Sequence, residues 1–107
     1  MNVKDNDIPA EQSVIDALKT VFDPEIPVNV YDLGLIYGID ISENGDIEIR
    51  MTLTNPNCPV ADKIPQMVEQ AVKSVENAGK VNVSLVFEPA WTKDMMSEAA
   101  MLELGLF

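Results

Sequence analysis

The chain has 107 residues, 47% of them hydrophobic, which is enough to bury a core and too apolar for a disordered segment. Seven Lys and Arg stand against 18 Asp and Glu, a formal charge of −11 that repels phosphate backbones and anionic lipid, so neither nucleic acid nor a membrane is expected as a partner. With no histidine and one cysteine the chain can build no Ser–His–Asp triad, no Cys–His pair, no two-histidine metal motif and no internal disulfide.

Residues 1–9 read as a polar N-terminal arm and residues 10–107 as a single domain. The arm has no hydrophobic signal segment, and no apolar run approaches the ~20 residues that span a bilayer. With a lone cysteine, this sets the expectation of a cytoplasmic protein. A first helix is predicted from Ala10 to Phe22, because Val14, Ala17, Leu18, Val21 and Phe22 share one face at the helical period. It should stop before Asp23-Pro24, since a residue preceding proline is pushed out of helical geometry. The loop from Asp23 to Asp32 is stiffened by Pro24 and Pro27 and carries Asp23, Glu25 and Asp32. These acids are either turn formers on the surface or the border of a site.

From Leu33 the period changes to two. Leu33, Leu35, Tyr37, Ile39 and Ile41 alternate with Gly34, Ile36, Gly38 and Asp40. Asn44-Gly45 is a hairpin signal, and beyond it Ile47, Ile49, Met51 and Leu53 alternate with Glu48, Arg50, Thr52 and Thr54. The stretch from Thr52 to Asp62 then joins a strand to a helix and contains Cys58. If Pro59 takes the first helical position, Cys58 is the N-cap, beside free N–H groups that favour thiolate over thiol. The other reading makes Cys58 a small buried apolar residue.

The second helix is predicted from Pro59 to Asn77, with Ile64, Met67, Val68, Ala71, Val72 and Val75 as its stripe and Gly79 as its C-cap. A third strand should turn Val81, Val83, Leu85 and Phe87 inward, and Glu88-Pro89-Ala90-Trp91-Thr92 breaks it. A final helix is expected from Asp94 to Leu104, ending near Gly105. The order α-β-β-α-β-α, with one apolar face per strand, predicts a two-layer α/β (α+β) sandwich: a three-stranded mixed sheet with helices mainly on one face. Strand order stays open. Ile36 and Val86 fall on the polar face, and Trp91, Met95 and Met96 follow, so either the C-terminal segment folds over them or a partner does.

One thiolate and a few carboxylates make an incomplete, labile metal site within one chain. A second copy or a partner would have to complete it, which suits handing a metal centre on. A cysteine nucleophile would need a base, and the sequence places none, so an enzyme is not expected.

Three stretches together resemble one family: Asp23-Pro24-Glu25-Ile26-Pro27 followed by Asp32-Leu33-Gly34-Leu35-Ile36-Tyr37; Thr52-Leu53-Thr54 through Cys58-Pro59-Val60-Ala61-Asp62; and Glu88-Pro89-Ala90-Trp91-Thr92 with Met95-Met96-Ser97. The chain is similar to SufT/PaaD-type iron–sulfur cluster assembly domains over roughly residues 10–105, departing at Lys93, where similar proteins tend to carry proline. The resemblance implies a role in maturing iron–sulfur proteins, as a transient cluster carrier or targeting protein. It implies Cys58 as the reactive or metal-ligating cysteine, Asp23 and Glu25 in an acidic loop motif, Asp32 nearby, and Thr52 and Thr54 leading into the cysteine turn. The expected cargo is a transient iron–sulfur cluster with none permanently bound. The expected partners are iron–sulfur assembly proteins, apo client proteins and, in one arrangement, a second copy whose Cys58 shares a cluster. The alternative is an adaptor that never touches metal and docks through the open sheet face and the C-terminal segment.

Overall fold

The computed structural model describes residues 9–23, 26–54 and 63–105. The expectations for the arm up to residue 8, for Glu25, and for Cys58, Pro59 and the start of the second helix lie outside the described residues. Pro9, the one described residue of the predicted arm, is buried.

Helix α1 (Glu11–Leu18) turns Val14 and Leu18 into the core. It ends four residues earlier than its periodicity predicts. The Thr20 hydroxyl and N–H both donate to the Ala17 carbonyl, which tightens the last turn. Phe22 then forms an antiparallel bridge with Asn29, and Val30 N–H donates to the Val21 carbonyl. Sheet-like pairing at 21–22 therefore outweighs helical propensity there.

Strands β1 (Ile36–Ile41), β2 (Ile47–Met51) and β3 (Val81–Leu85) form one sheet in the order β1-β2-β3. β1 and β2 are antiparallel; β2 and β3, joined through helix α2 (Lys63–Lys73), are parallel. The mixed sheet is thus as predicted, with β2 central. A three-residue loop, Glu43-Asn44-Gly45, closes the hairpin with Gly45 in the left-handed region at φ +89°. α2 buries Ile64, Val68 and Val72 against the sheet, and with α1 it forms the helical layer. The opposite face carries cross-strand polar contacts: Glu48 accepts from Asn82 Nδ2 at 2.7 Å and Ser84 Oγ at 2.9 Å, and Arg50 pairs with Asp40 at 3.4 Å.

Four details depart from the sequence reading. A bulge between Ile36 and Gly38 inserts one residue, so Ile36 pairs with Met51 and packs against the core instead of lying on the polar face. The bulged Tyr37 sends its hydroxyl to the Pro89 carbonyl at 2.7 Å and Met95 Sδ at 3.5 Å, not into the core. Along β3 and just beyond it burial fades, leaving Leu85 37% and Phe87 46% exposed, because an edge strand has a neighbour on one side only. Finally, Asn77 (φ 71°), not Gly79, takes the left-handed position after α2. Gly79 instead abuts the hairpin loop, donating its N–H to the Gly45 carbonyl at 2.8 Å where a side chain would strike Asp46.

The last predicted helix is split into a 3-10 turn (Lys93–Met95) and α3 (Glu98–Glu103). Ser97 caps α3, its hydroxyl accepting from Ala100 N–H at 3.1 Å. The C-terminal segment does fold back: Met96 and Ala100 join the core, and Trp91 Nε1 donates to the Leu33 carbonyl at 2.6 Å.

Candidate functional site

A relay of backbone hydrogen bonds ties the acidic loop to the exit of β2. Val30 N–H donates to the Val21 carbonyl (2.8 Å), Leu35 N–H to Val30 (3.1 Å), and Thr52 N–H to Leu35 (2.8 Å). All four residues are buried, so these bonds are shielded from water and hold their partners in register. From the other side, Val86 N–H donates to the Met51 carbonyl at 2.8 Å and extends the β2–β3 ladder to the same exit. The end of the central strand is therefore clamped on both flanks just before the segment that contains Cys58.

Asp23 is the buried acid of this end, with 5% of its surface exposed. Its Oδ1 accepts from Ile26 N–H at 3.0 Å, which shapes the loop, and its Oδ2 accepts a long 3.5 Å bond from Thr54 Oγ1. The structure thus brings Asp23 and Thr54 together across 31 residues of sequence. Thr54 precedes Cys58 by four residues, a tether of at most about 14 Å of extended chain. Thr52 is buried and held by its backbone. Glu25 and Cys58, like Pro59, fall outside the described residues.

Asp32 is engaged elsewhere. Its carboxylate accepts from Asn29 Nδ2 at 2.8 Å and Ser97 Oγ at 3.2 Å, and its carbonyl accepts from Ser97 N–H at 2.8 Å. These contacts secure the loop to the cap of α3. The sequence reading missed Asn29 and Ser97, although Ser97 followed one residue later by Glu98 is a readable helix-start signal. Among the described residues no group of three or more His, Cys, Asp or Glu is arranged to hold a metal ion. An open groove of about 870 Å³ adjoins this end of the sheet, lined by Thr20, Val21 and Phe22 on one side and by Lys63, Gln66 and Met67 of α2 on the other. Phe22 and Met67 are 53% and 42% exposed on it, Met67 lying at the margin of the buried α2 stripe.

This arrangement defines a small α+β scaffold that gathers Asp23, Thr52 and Thr54 at the C-terminal end of its central strand. Residues 11–85 match the family described as iron–sulfur cluster assembly protein, and the chain belongs to that family. It is 57% identical over 95 residues, 89% of this chain and 90% of the relative, to an Fe–S protein maturation auxiliary factor of Porphyromonas gingivalis. A factor of the same description from Bacillus subtilis is 38% identical over 96 residues, 90% of this chain and 94% of that protein. Among solved structures, a domain of unknown function from Bacillus anthracis superposes with a TM-score of 0.84 at 34% identity, covering 91% of this chain and 92% of that one. Among the described residues no helix is long and apolar enough to cross a membrane.

Proposed function

We propose that this protein is a maturation factor for iron–sulfur proteins, carrying a cluster transiently or targeting it to apo client proteins in the cytoplasm. The observation that carries the reading is the near full-length correspondence with a relative named as an Fe–S protein maturation auxiliary factor. In this reading Cys58 is the ligand or reactive thiolate. Asp23, Thr52 and Thr54 hold the approach to it, with Glu25 in the same acidic loop, while Asp32 supports that loop from the α3 cap. One thiolate cannot hold a cluster alone, so the cargo is bridged to a second copy or to an assembly partner, and is released readily. The role is one of carriage and delivery, without a catalytic turnover of its own.

The test is anaerobic cluster reconstitution of wild-type and Cys58→Ser protein, followed by visible absorbance with iron and sulfide counted per chain, and by client activation. The wild type should take up cluster and activate an apo client; Cys58→Ser should fold normally and do neither. Full client activation by Cys58→Ser would overturn the role given to the thiolate. A second reading, an adaptor that binds client or assembly proteins without metal, is favoured by the exposed Phe22 and Met67 on their groove. Under it, Met67→Ser weakens client capture and Cys58→Ser does not.

A further inference from the structure

The hairpin loop at the other end of β2 carries chemistry that the maturation role does not use. Asn44 is exposed there and is followed by Gly45, which has no side chain to hinder approach to the amide nitrogen between them. We propose that Asn44 is a modification site, deamidating spontaneously through a succinimide, and that the hydrogen bonds of the folded loop restrain the reaction so that it proceeds through local opening of the hairpin.

The step needs no enzyme, oxidant or reductant. The Gly45 backbone nitrogen attacks Cγ of Asn44; the N–Cγ bond forms, the Cγ–Nδ2 bond breaks, and ammonia leaves with the proton from Gly45. Water then opens the ring. Attack at Cγ gives aspartate at position 44, and attack at the main-chain carbonyl gives isoaspartate.

The folded loop acts on this step in two opposing ways. Asn44 Oδ1 accepts from the Ser42 hydroxyl and, at 3.4 Å, from Asp46 N–H, which draws electrons from Cγ and favours attack. Against this, the attacking nitrogen is committed: Gly45 N–H donates to the Ser42 carbonyl at 3.0 Å, and the Gly45 carbonyl accepts from Gly79 N–H at 2.8 Å. The left-handed Gly45 (φ +89°) fixes the peptide plane between these two bonds. The same contacts that polarise the carboxamide also hold it by its oxygen. Ring closure needs the nitrogen turned onto Cγ, so those bonds must break first, and a polarised carbon without an available nucleophile does not react. The rate in the native protein is then the rate in the open loop scaled by the fraction of time it is open.

The product matters to the fold. Isoaspartate routes the main chain through the side chain and lengthens a three-residue loop, whose Gly45 carbonyl is the anchor for Gly79 just before β3. Either product adds a negative charge beside Glu43 and Asp46.

The full-length protein, incubated at neutral pH with and without urea, would be followed by peptide mapping that separates aspartate from isoaspartate. Conversion is expected at position 44, slower in the native protein by about tenfold or more, as local opening requires. Ser42→Ala, which frees Oδ1 from one of its two donors, should speed conversion in the native protein and leave the rate in urea unchanged. Asn44→Ser should abolish the product. Equal rates with and without urea would overturn the restraint, as would an unchanged native rate in Ser42→Ala, and persistence of the mass change in Asn44→Ser would overturn the site.

Discussion

Removing the Asp23 carboxylate separates what that group does for the loop from what it does for the site. Asp23 is 5% exposed, and its two oxygens take different partners: Ile26 N–H at 3.0 Å and Thr54 Oγ1 at 3.5 Å. A hydrogen bond to a charged acceptor is worth about 1.5–3 kcal/mol, and the longer contact adds little. Asp23→Ala leaves the Ile26 N–H without that acceptor and should cost about 2 kcal/mol. For a domain of about 100 residues, each kcal/mol moves the melting temperature by several degrees, so a fall of roughly 10 °C is expected. Asp23→Asn keeps an oxygen for Ile26, and the Thr54 hydroxyl can turn to accept from the new amide, so its cost should stay below about 1 kcal/mol. Thermal and urea unfolding of the three proteins measure both values. Equal losses in the two variants, or a loss under about 0.5 kcal/mol in Asp23→Ala, would refute the account of the loop bond. Client activation, read on the same proteins, then shows whether the negative charge matters beyond shape. A charge requirement makes Asp23→Asn stable but inactive.

Trp91→Phe preserves most of the packing but removes the 2.6 Å bond to the Leu33 carbonyl, so urea unfolding should show a loss of about 1 kcal/mol with an unchanged slope. Ser97→Ala removes both the cap of the six-residue α3 and the hydroxyl on Asp32, and should cost about 1 kcal/mol, with faster amide exchange confined to 98–103 and the 29–33 turn. Gly38→Ala would place a methyl where the Arg50 guanidinium lies, driving it off Asp40. Both partners are about half exposed, so the loss should stay under about 1 kcal/mol, and a nuclear magnetic resonance signal from the Arg50 guanidinium should broaden.

Residues whose environment is set by their own element were legible in the sequence. The β-hairpin, the parallel return through α2, and the buried run Ile64, Val68 and Val72 all follow from periodicity, because one face meeting a core suffices to define them. What periodicity missed depends on contacts between distant segments. The inserted residue at Tyr37 reverses the side on which Ile36 falls, and it is stabilised by Pro89 and Met95, more than 50 residues away in sequence. The early end of α1 depends on Asn29 and Val30 returning to pair with Phe22 and Val21. Asp23 and Thr54 were both legible as candidates, since the motifs around them resemble one family, but their contact was not. No local pattern encodes a bond across that separation. Asp32 belonged to the same motif by sequence and serves a different partner in space, because Ser97 competes for its carboxylate.

The two ends of β2 are held in different ways, and the proposed carrier role draws on only one of them. At the hairpin end the chain turns in three residues and is pinned to Gly79. At the exit end, two segments bond to the strand, Leu35 to Thr52 and Val86 to Met51, just before the stretch that contains Cys58. The clamp lies within the core, since Leu35, Met51 and Thr52 are all buried, so these bonds hold the strand end against local opening. Under the proposed carrier role, reconstituting the protein with cluster should slow amide exchange at and beyond Thr54 while leaving Ile47, Ile49 and Val83 unaltered. Changes in protection spread through β2 and β3 would mean that cargo binding remodels the sheet, and that the clamp described by Leu35, Thr52, Met51 and Val86 does not insulate it.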